Sequence, residues 1–147
     1  MRRRIGIGAG CLWVFLSSGG PAQAGSINLD ANTRTEIESG MDEQISLINR
    51  KAPIDVGPQQ KLLRAARHGE TVVYTYELTV GQEGQATTPQ YIQRIVDGVI
   101  NSNCKENQNA RMLLDAGYEL KHVWYDQKGN FVSNVLVTKQ SCVSARL

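Results

Sequence analysis

Cys104 and Cys142 restrict the fold of this chain more than any other pair of residues, because the third cysteine, Cys11, sits in a segment built to be removed. Arg2, Arg3 and Arg4 make a positive start, an apolar run of twelve residues follows from Ile5 to Leu16, and the stretch SSGGPAQA ends in Ala22-Gln23-Ala24. That order predicts a secretory signal over residues 1–24, cleaved after Ala24. Twelve apolar residues fall short of the roughly 20 that cross a bilayer, which argues against a membrane anchor. Lipid attachment through Cys11 is disfavoured as well, since Cys11 lies inside the apolar run rather than at its end.

Removing the signal leaves residues 25–147, enough for one domain with its own core. The signal carries three of the 16 basic residues and none of the 14 acidic ones, so 13 face 14 and the formal charge is near −1. A nucleic-acid or polyanion role loses its main support. No later segment is long and apolar enough to span a membrane, so the expectation is a soluble chain, periplasmic or secreted. An even cysteine pair in an exported chain predicts a Cys104–Cys142 disulfide. No histidine lies near either cysteine in sequence, against metal binding, and the Cys-x-x-Cys spacing of a redox pair is missing.

Periodicity outlines the elements. Thr33 with Glu36 offers a capping box, and Ile37, Met41, Ile45 and Ile48 recur at helical spacing, predicting a helix over about Arg34 to Arg50 that stops before Pro53. Val72, Tyr74, Tyr76, Leu78 and Val80 alternate with smaller or polar residues, a strand whose partner runs from Leu62 to Arg67 through His68-Gly69-Glu70. GQEGQATT, residues 81–88, reads as a loop ending at Thr88-Pro89, an N-cap and first-turn proline. Ile92, Ile95, Val96, Val99 and Ile100 predict a second helix to about Asn103, and Gln108 to Ala116 a shorter third one stopped by Gly117. Tyr118 to Asp126 and Asn130 to Lys139 then form a second hairpin. The expected fold is a single two-layer α+β domain: an antiparallel sheet of two hairpins, about four strands, with about three helices on one face. The disulfide would pin the helix layer to the sheet layer.

KHVWYDQKGN, residues 121–130, brings His122, Tyr125 and Asp126 close in sequence. On a strand, Leu120, His122 and Trp124 face one way while Lys121, Val123 and Tyr125 face the other, so the residues do not converge. Asp126, Lys128, Gly129 and Asn130 are turn chemistry. His122 is therefore expected to serve packing, buried and bonded to a neighbour. Asp126 and Asn130 lack the spacing and downstream acid of a calcium loop. No nucleophile elbow, zinc-protease or phosphate-loop pattern occurs, and no carboxylate pair stands out as acid and base. The expectation is no enzyme, no metal and no cofactor.

The order Tyr74-Thr-Tyr76, Cys104, ARMLLDAGYELKHVWYDQKGNFV and Cys142 resembles small exported bacterial proteins of undescribed function, over roughly residues 60–142. The resemblance implies a periplasmic location and a disulfide-stapled α+β fold, and carries over no active-site residue. A small, stapled, nearly neutral exported domain works most often by binding. The leading expectation is an accessory protein acting on another protein of the cell envelope, such as an assembly factor of a secretion or surface machine. An inhibitor or immunity protein that blocks a toxin or cell-wall hydrolase is the alternative, and a small hydrolase or ligand carrier the second. An exposed anchor would mark the binding surface, with Arg64, Arg67, His68, Gln82, Glu83 and Gln85 as candidates.

Overall fold

A computed structural model describes residues 29–79 and 88–145; the expected signal, and the loop up to residue 87, lie outside the described residues. The elements are α1 (Ala31–Lys51), β1 (Ile54–Gly57), β2 (Gln60–His68), β3 (Thr71–Leu78), α2 (Pro89–Asn101), a π-turn (Ser102–Glu106), α3 (Gln108–Asp115), β4 (Glu119–Asp126), β5 (Phe131–Val137) and α4 (Lys139–Ser144). The five strands stand in the order β1-β2-β3-β4-β5 with the helices on one side, a two-layer α+β domain as expected.

The sheet departs from the expected antiparallel one at its centre, where β3 and β4 run parallel from Thr71↔Glu119 to Leu78↔Asp126. Each hairpin is antiparallel within itself. The chain leaves the end of β3, crosses the helix face through α2 and α3, and returns beside the start of β3. Such a crossover makes the joined strands parallel. Local alternation describes each hairpin and carries nothing about how the two are joined. The extra strand, β1, is four residues between Pro53 and Pro58, too short for a period to emerge.

Capping chemistry sets the helix ends. α1 begins one turn before the expected box: Asp30, not Thr33, is the N-cap and accepts from the Thr33 N–H. The Thr33 hydroxyl also donates to Asp30 Oδ2 at 2.9 Å, so Thr33 sits inside the first turn as the partner of the cap. α2 starts as expected, with the Thr88 hydroxyl accepting from Tyr91 N–H and Pro89 in the first turn. Gly117, at φ +93°, ends α3, and Gly129, at φ +81°, closes the second hairpin. The residues after Val137 turn into α4, where continued strand was expected; Thr138 and Ser141 form a reciprocal capping box there.

One core joins Met41, Val72, Leu114, Tyr118, Leu120 and Val137 around the Cys104–Cys142 disulfide, and a second holds Leu78, Ile95 and Trp124. The bond ties α4 to the π-turn rather than to α2 itself. Trp124 is 1% exposed, and its indole N–H donates to Gln60 Oε1 across the sheet at 3.1 Å. α1 is fastened to β2 twice. Arg67 donates two bonds to the Asp42 carboxylate at 2.8 Å each. Asn49 mimics a peptide group: its Nδ2 donates to the Ala65 carbonyl at 2.9 Å, and its Oδ1 accepts from the Ala65 N–H at 2.8 Å. This pairing covers the edge of β2 beyond the reach of short β1. Replacing Asn49 by Leu leaves both buried backbone groups of Ala65 unpaired, so stability should fall by about 1–3 kcal/mol. A denaturant melt reads the loss, and faster amide exchange at Ala65 locates it.

Candidate functional site

α1 packs against β2 and α2 reaches β5, so the sheet between them is left open as the floor of a groove of about 1070 Å³. Ile37, Met41, Ile45 and Ile48 of α1 form one wall, and Tyr91, Ile95 and Val99 of α2 the other. The α1 residues are the apolar stripe that marks that helix in sequence. Of the α2 stripe, Ile95 and Val99 line the groove beside Tyr91, while Ile92, Val96 and Ile100 pack against the cores. Yet only Met41 and Ile95 among them are buried; the rest are half-covered. An amphipathic helix ordinarily spends such a stripe on the core. Two facing helices that leave theirs open define an apolar trough. From Glu36 to Ile48 the wall measures about 18 Å, at roughly 1.5 Å per residue.

Gly40 and Gly98, one on each facing helix, line this groove, and a β-carbon at either meets nothing within 4 Å. Glycine in a helix interior costs about 1 kcal/mol relative to alanine. In sequence Gly40 reads only as a weakness in the helix. The signal available was its position on the same helical face as Glu36 and Ile37, but only the opposing helix turns that into a site.

A row of aromatic rings comes from alternating positions of β3 and β4; Tyr74, Tyr76 and His122 form the floor, and the buried Trp124 continues the stack beyond it. Tyr74 and His122 stack with centroids 5.1 Å apart, Tyr76 and His122 at 5.7 Å, and Tyr76 and Trp124 at 5.5 Å. The parallel register Tyr74↔His122 and Tyr76↔Trp124 places these side chains side by side on the helix face. His122 is 5% exposed. Asn103 Nδ2 donates to the Val99 carbonyl, which fixes the orientation of the amide, and the same nitrogen lies 3.1 Å from His122 Nε2. Nε2 must then accept, so the proton sits on Nδ1 and is donated to the Tyr76 hydroxyl at 3.0 Å. Burial holds the imidazole neutral, with its pKa pushed down to about 4. Burial likewise raises Tyr74 and Tyr76 above the ordinary phenol range. The neutral imidazole is held in one tautomer by two fixed partners, as suits a structural histidine. The Tyr91 hydroxyl, on the α2 wall, is buried with no hydrogen-bond partner among the described residues.

The other members of KHVWYDQKGN go elsewhere. Tyr125 lies on the opposite face of the sheet, edge-on to Phe131 at 6.2 Å. Asp126 accepts from the N–H groups of Lys128 and Asn130 and from the Asn130 side chain, each at 2.8 Å. Those bonds, the Asn130 side chain's first, hold its carboxyl below the usual range. Among the described residues no three His, Cys, Asp or Glu side chains gather as a metal site. Of the candidate surface, Arg64 and His68 are exposed, Arg67 is engaged with Asp42, and Gln82, Glu83 and Gln85 lie outside the described residues. None of the three described ones lines the groove.

The sequence matches the family profile described as type II secretion system (T2SS) pilotin, S protein, over residues 33–142. No curated protein matches the chain. Among solved structures, the fold is similar to the type II secretion system pilotin AspS from Vibrio cholerae, with TM-score 0.60 and 24% identity, covering 76% of this chain and 97% of that one. It is also similar to the type 2 secretion system pilotin EpsS from Vibrio vulnificus, with TM-score 0.63 and 18% identity over 77% and 97% of the two chains. A putative secreted protein from Pseudomonas aeruginosa, PA3611, shares the fold at TM-score 0.60 and 14% identity, over 74% and 94%.

Proposed function

The chain belongs to the pilotin (S protein) family of the type II secretion system, and from that premise we propose that it is an accessory protein of such a machine in the cell envelope, holding a segment of the secretin subunit in the groove between α1 and α2. The family narrows the resemblance to small exported proteins into a secretion role, that of an assembly factor.

The observation that carries the reading is the pair of half-covered apolar stripes facing each other across the groove. An apolar trough of about 18 Å suits an amphipathic helix of about three turns, laid in by its apolar face. The aromatic floor is rigid: its rings are stacked and its one buried imidazole is held by two partners. Binding therefore needs little reordering of the site, which favours affinity. Recognition by burial rather than by charge also suits a groove whose walls carry only isolated charges such as Glu36 and Arg94. Among the described residues no helix is long and apolar enough to cross a membrane.

Gly98→Leu and Gly40→Leu test this directly. Each fills the groove where open space exists, and each replaces glycine in a helix interior, which should hold or raise stability by up to about 1 kcal/mol. Titration with the secretin subunit of the same envelope should then show binding weakened by roughly tenfold or more in either variant. Unchanged affinity in two folded variants, or no binding by the parent chain, would overturn the reading.

A further inference from the structure

The two edges of the sheet are treated differently. At one, β1 is four residues long, carries Asp55, is irregular between Asp55 and Gly57, and gives way to the Asn49 amide on Ala65. Short length, charge, irregularity and a covering side chain are all devices that stop a sheet from recruiting another strand. At the other edge, β5 has none of them along most of its length. FVSNVLV is seven residues without a charge or a proline, and its one irregularity sits at the Phe131 end. Its backbone groups that face away from β4 have no partner among the described residues. Phe131 and Leu136, 58% and 43% exposed, leave the strand on the helix-free face, Phe131 beside Tyr125 and Leu136 beside Lys121.

We propose that β5 is a homodimer interface, in which β5 of a second copy pairs antiparallel about a two-fold axis near Asn134 and continues the sheet across both protomers. The strand suits itself as a partner. A two-fold pairing sets Asn134 against its own copy, with apolar residues on both sides and no like charges opposed. The nearest cation on that face, Lys121, is one strand further in, opposite Leu136. Two copies of it would lie three strand spacings apart across the sheet, about 14 Å, and about 13 Å apart along it, beyond the roughly 8 Å over which salt screens exposed charges at physiological strength. Leu136 and Phe131 would lose solvent exposure against the second copy. The groove between α1 and α2 is on the opposite layer and stays open, so this inference stands whether or not the groove holds a secretin segment.

Sedimentation equilibrium of the exported chain, run at rising concentration, reads the association. Hydrogen exchange at the β5 amides, run at low and high concentration, reads its location. A monomer–dimer equilibrium is expected, with β5 amides protected only in the dimer. Asn134→Lys places two ammonium groups at the axis, and Leu136→Lys charges the adjoining apolar surface. Both positions are exposed, so each variant should keep the parent thermal melt while weakening the dimer by roughly tenfold or more. A parent chain that stays monomeric overturns the proposal, even if it captures a strand from another envelope protein. So does a dimer that neither variant weakens, or one in which β5 gains no protection.

Discussion

Loss of the Cys104–Cys142 bond should lower the melting temperature by about 10–20 °C, the largest effect expected of any local change here. The bond closes a loop of 39 residues, for which the chain-entropy account gives about 4 kcal/mol as an upper figure. Both cysteines are buried, so the comparison is best made with the double variant Cys104→Ala, Cys142→Ala. The bond fixes α4 against the π-turn, and that turn continues directly from α2, one wall of the groove. Loosening should therefore reach the groove before the sheet, and exchange should quicken along α2 more than along β3. Thiol labelling of the unfolded, unreduced chain should give no signal from either residue. A destabilisation below about 1 kcal/mol would show that the loop is already held by its packing.

Acid should remove about 3 kcal/mol through one residue. His122 is held neutral by burial, with a pKa of about 4 against 6.5 for the free side chain. Its folded value lies below its unfolded value, so between these two values the unfolded chain binds more protons than the folded one. Stability is then flat above about pH 6.5, falls as pH drops from 6.5 to 4, and loses nothing further through this group below 4. The geometry agrees with the sign: a proton on Nε2 would face the Asn103 Nδ2 hydrogens, donor against donor. His122→Gln should lower stability modestly at neutral pH and flatten the fall between pH 6.5 and 4. Denaturant melts of parent and variant across that window make the test, since carboxylates common to both cancel in the difference. Equal slopes would remove His122 as the cause. Groove binding in the variant should remain near the parent value if the imidazole supports the floor and touches no ligand.

The elements that repeat at close range were open to reading. The stripe from Ile37 to Ile48, the alternation from Val72 to Leu78, the Thr88-Pro89 start and the Gly129 turn all place their segments without help from the rest of the chain. The opposed directions of His122 and Tyr125 followed from the period of a strand alone. The pairing of Cys104 with Cys142 followed from there being no third cysteine past residue 24. Each of these depends on local geometry or on simple counting.

The groove and the parallel centre of the sheet belong to tertiary structure. Sequence shows that α1 and α2 each have an apolar face, but a face half-covered by its neighbours has the same pattern as one fully buried. Tyr74, Tyr76 and His122 become one floor, backed by the buried Trp124, only because the crossover sets β4 beside β3 in parallel register, 48 residues apart along the chain. The bare edge of β5 and the guarded edge near β1 are properties of strand order, which no strand encodes by itself. Local periodicity thus determined what each segment could bury; the packing of segments distant in the chain decided what was left unburied, and that remainder is where a partner can bind.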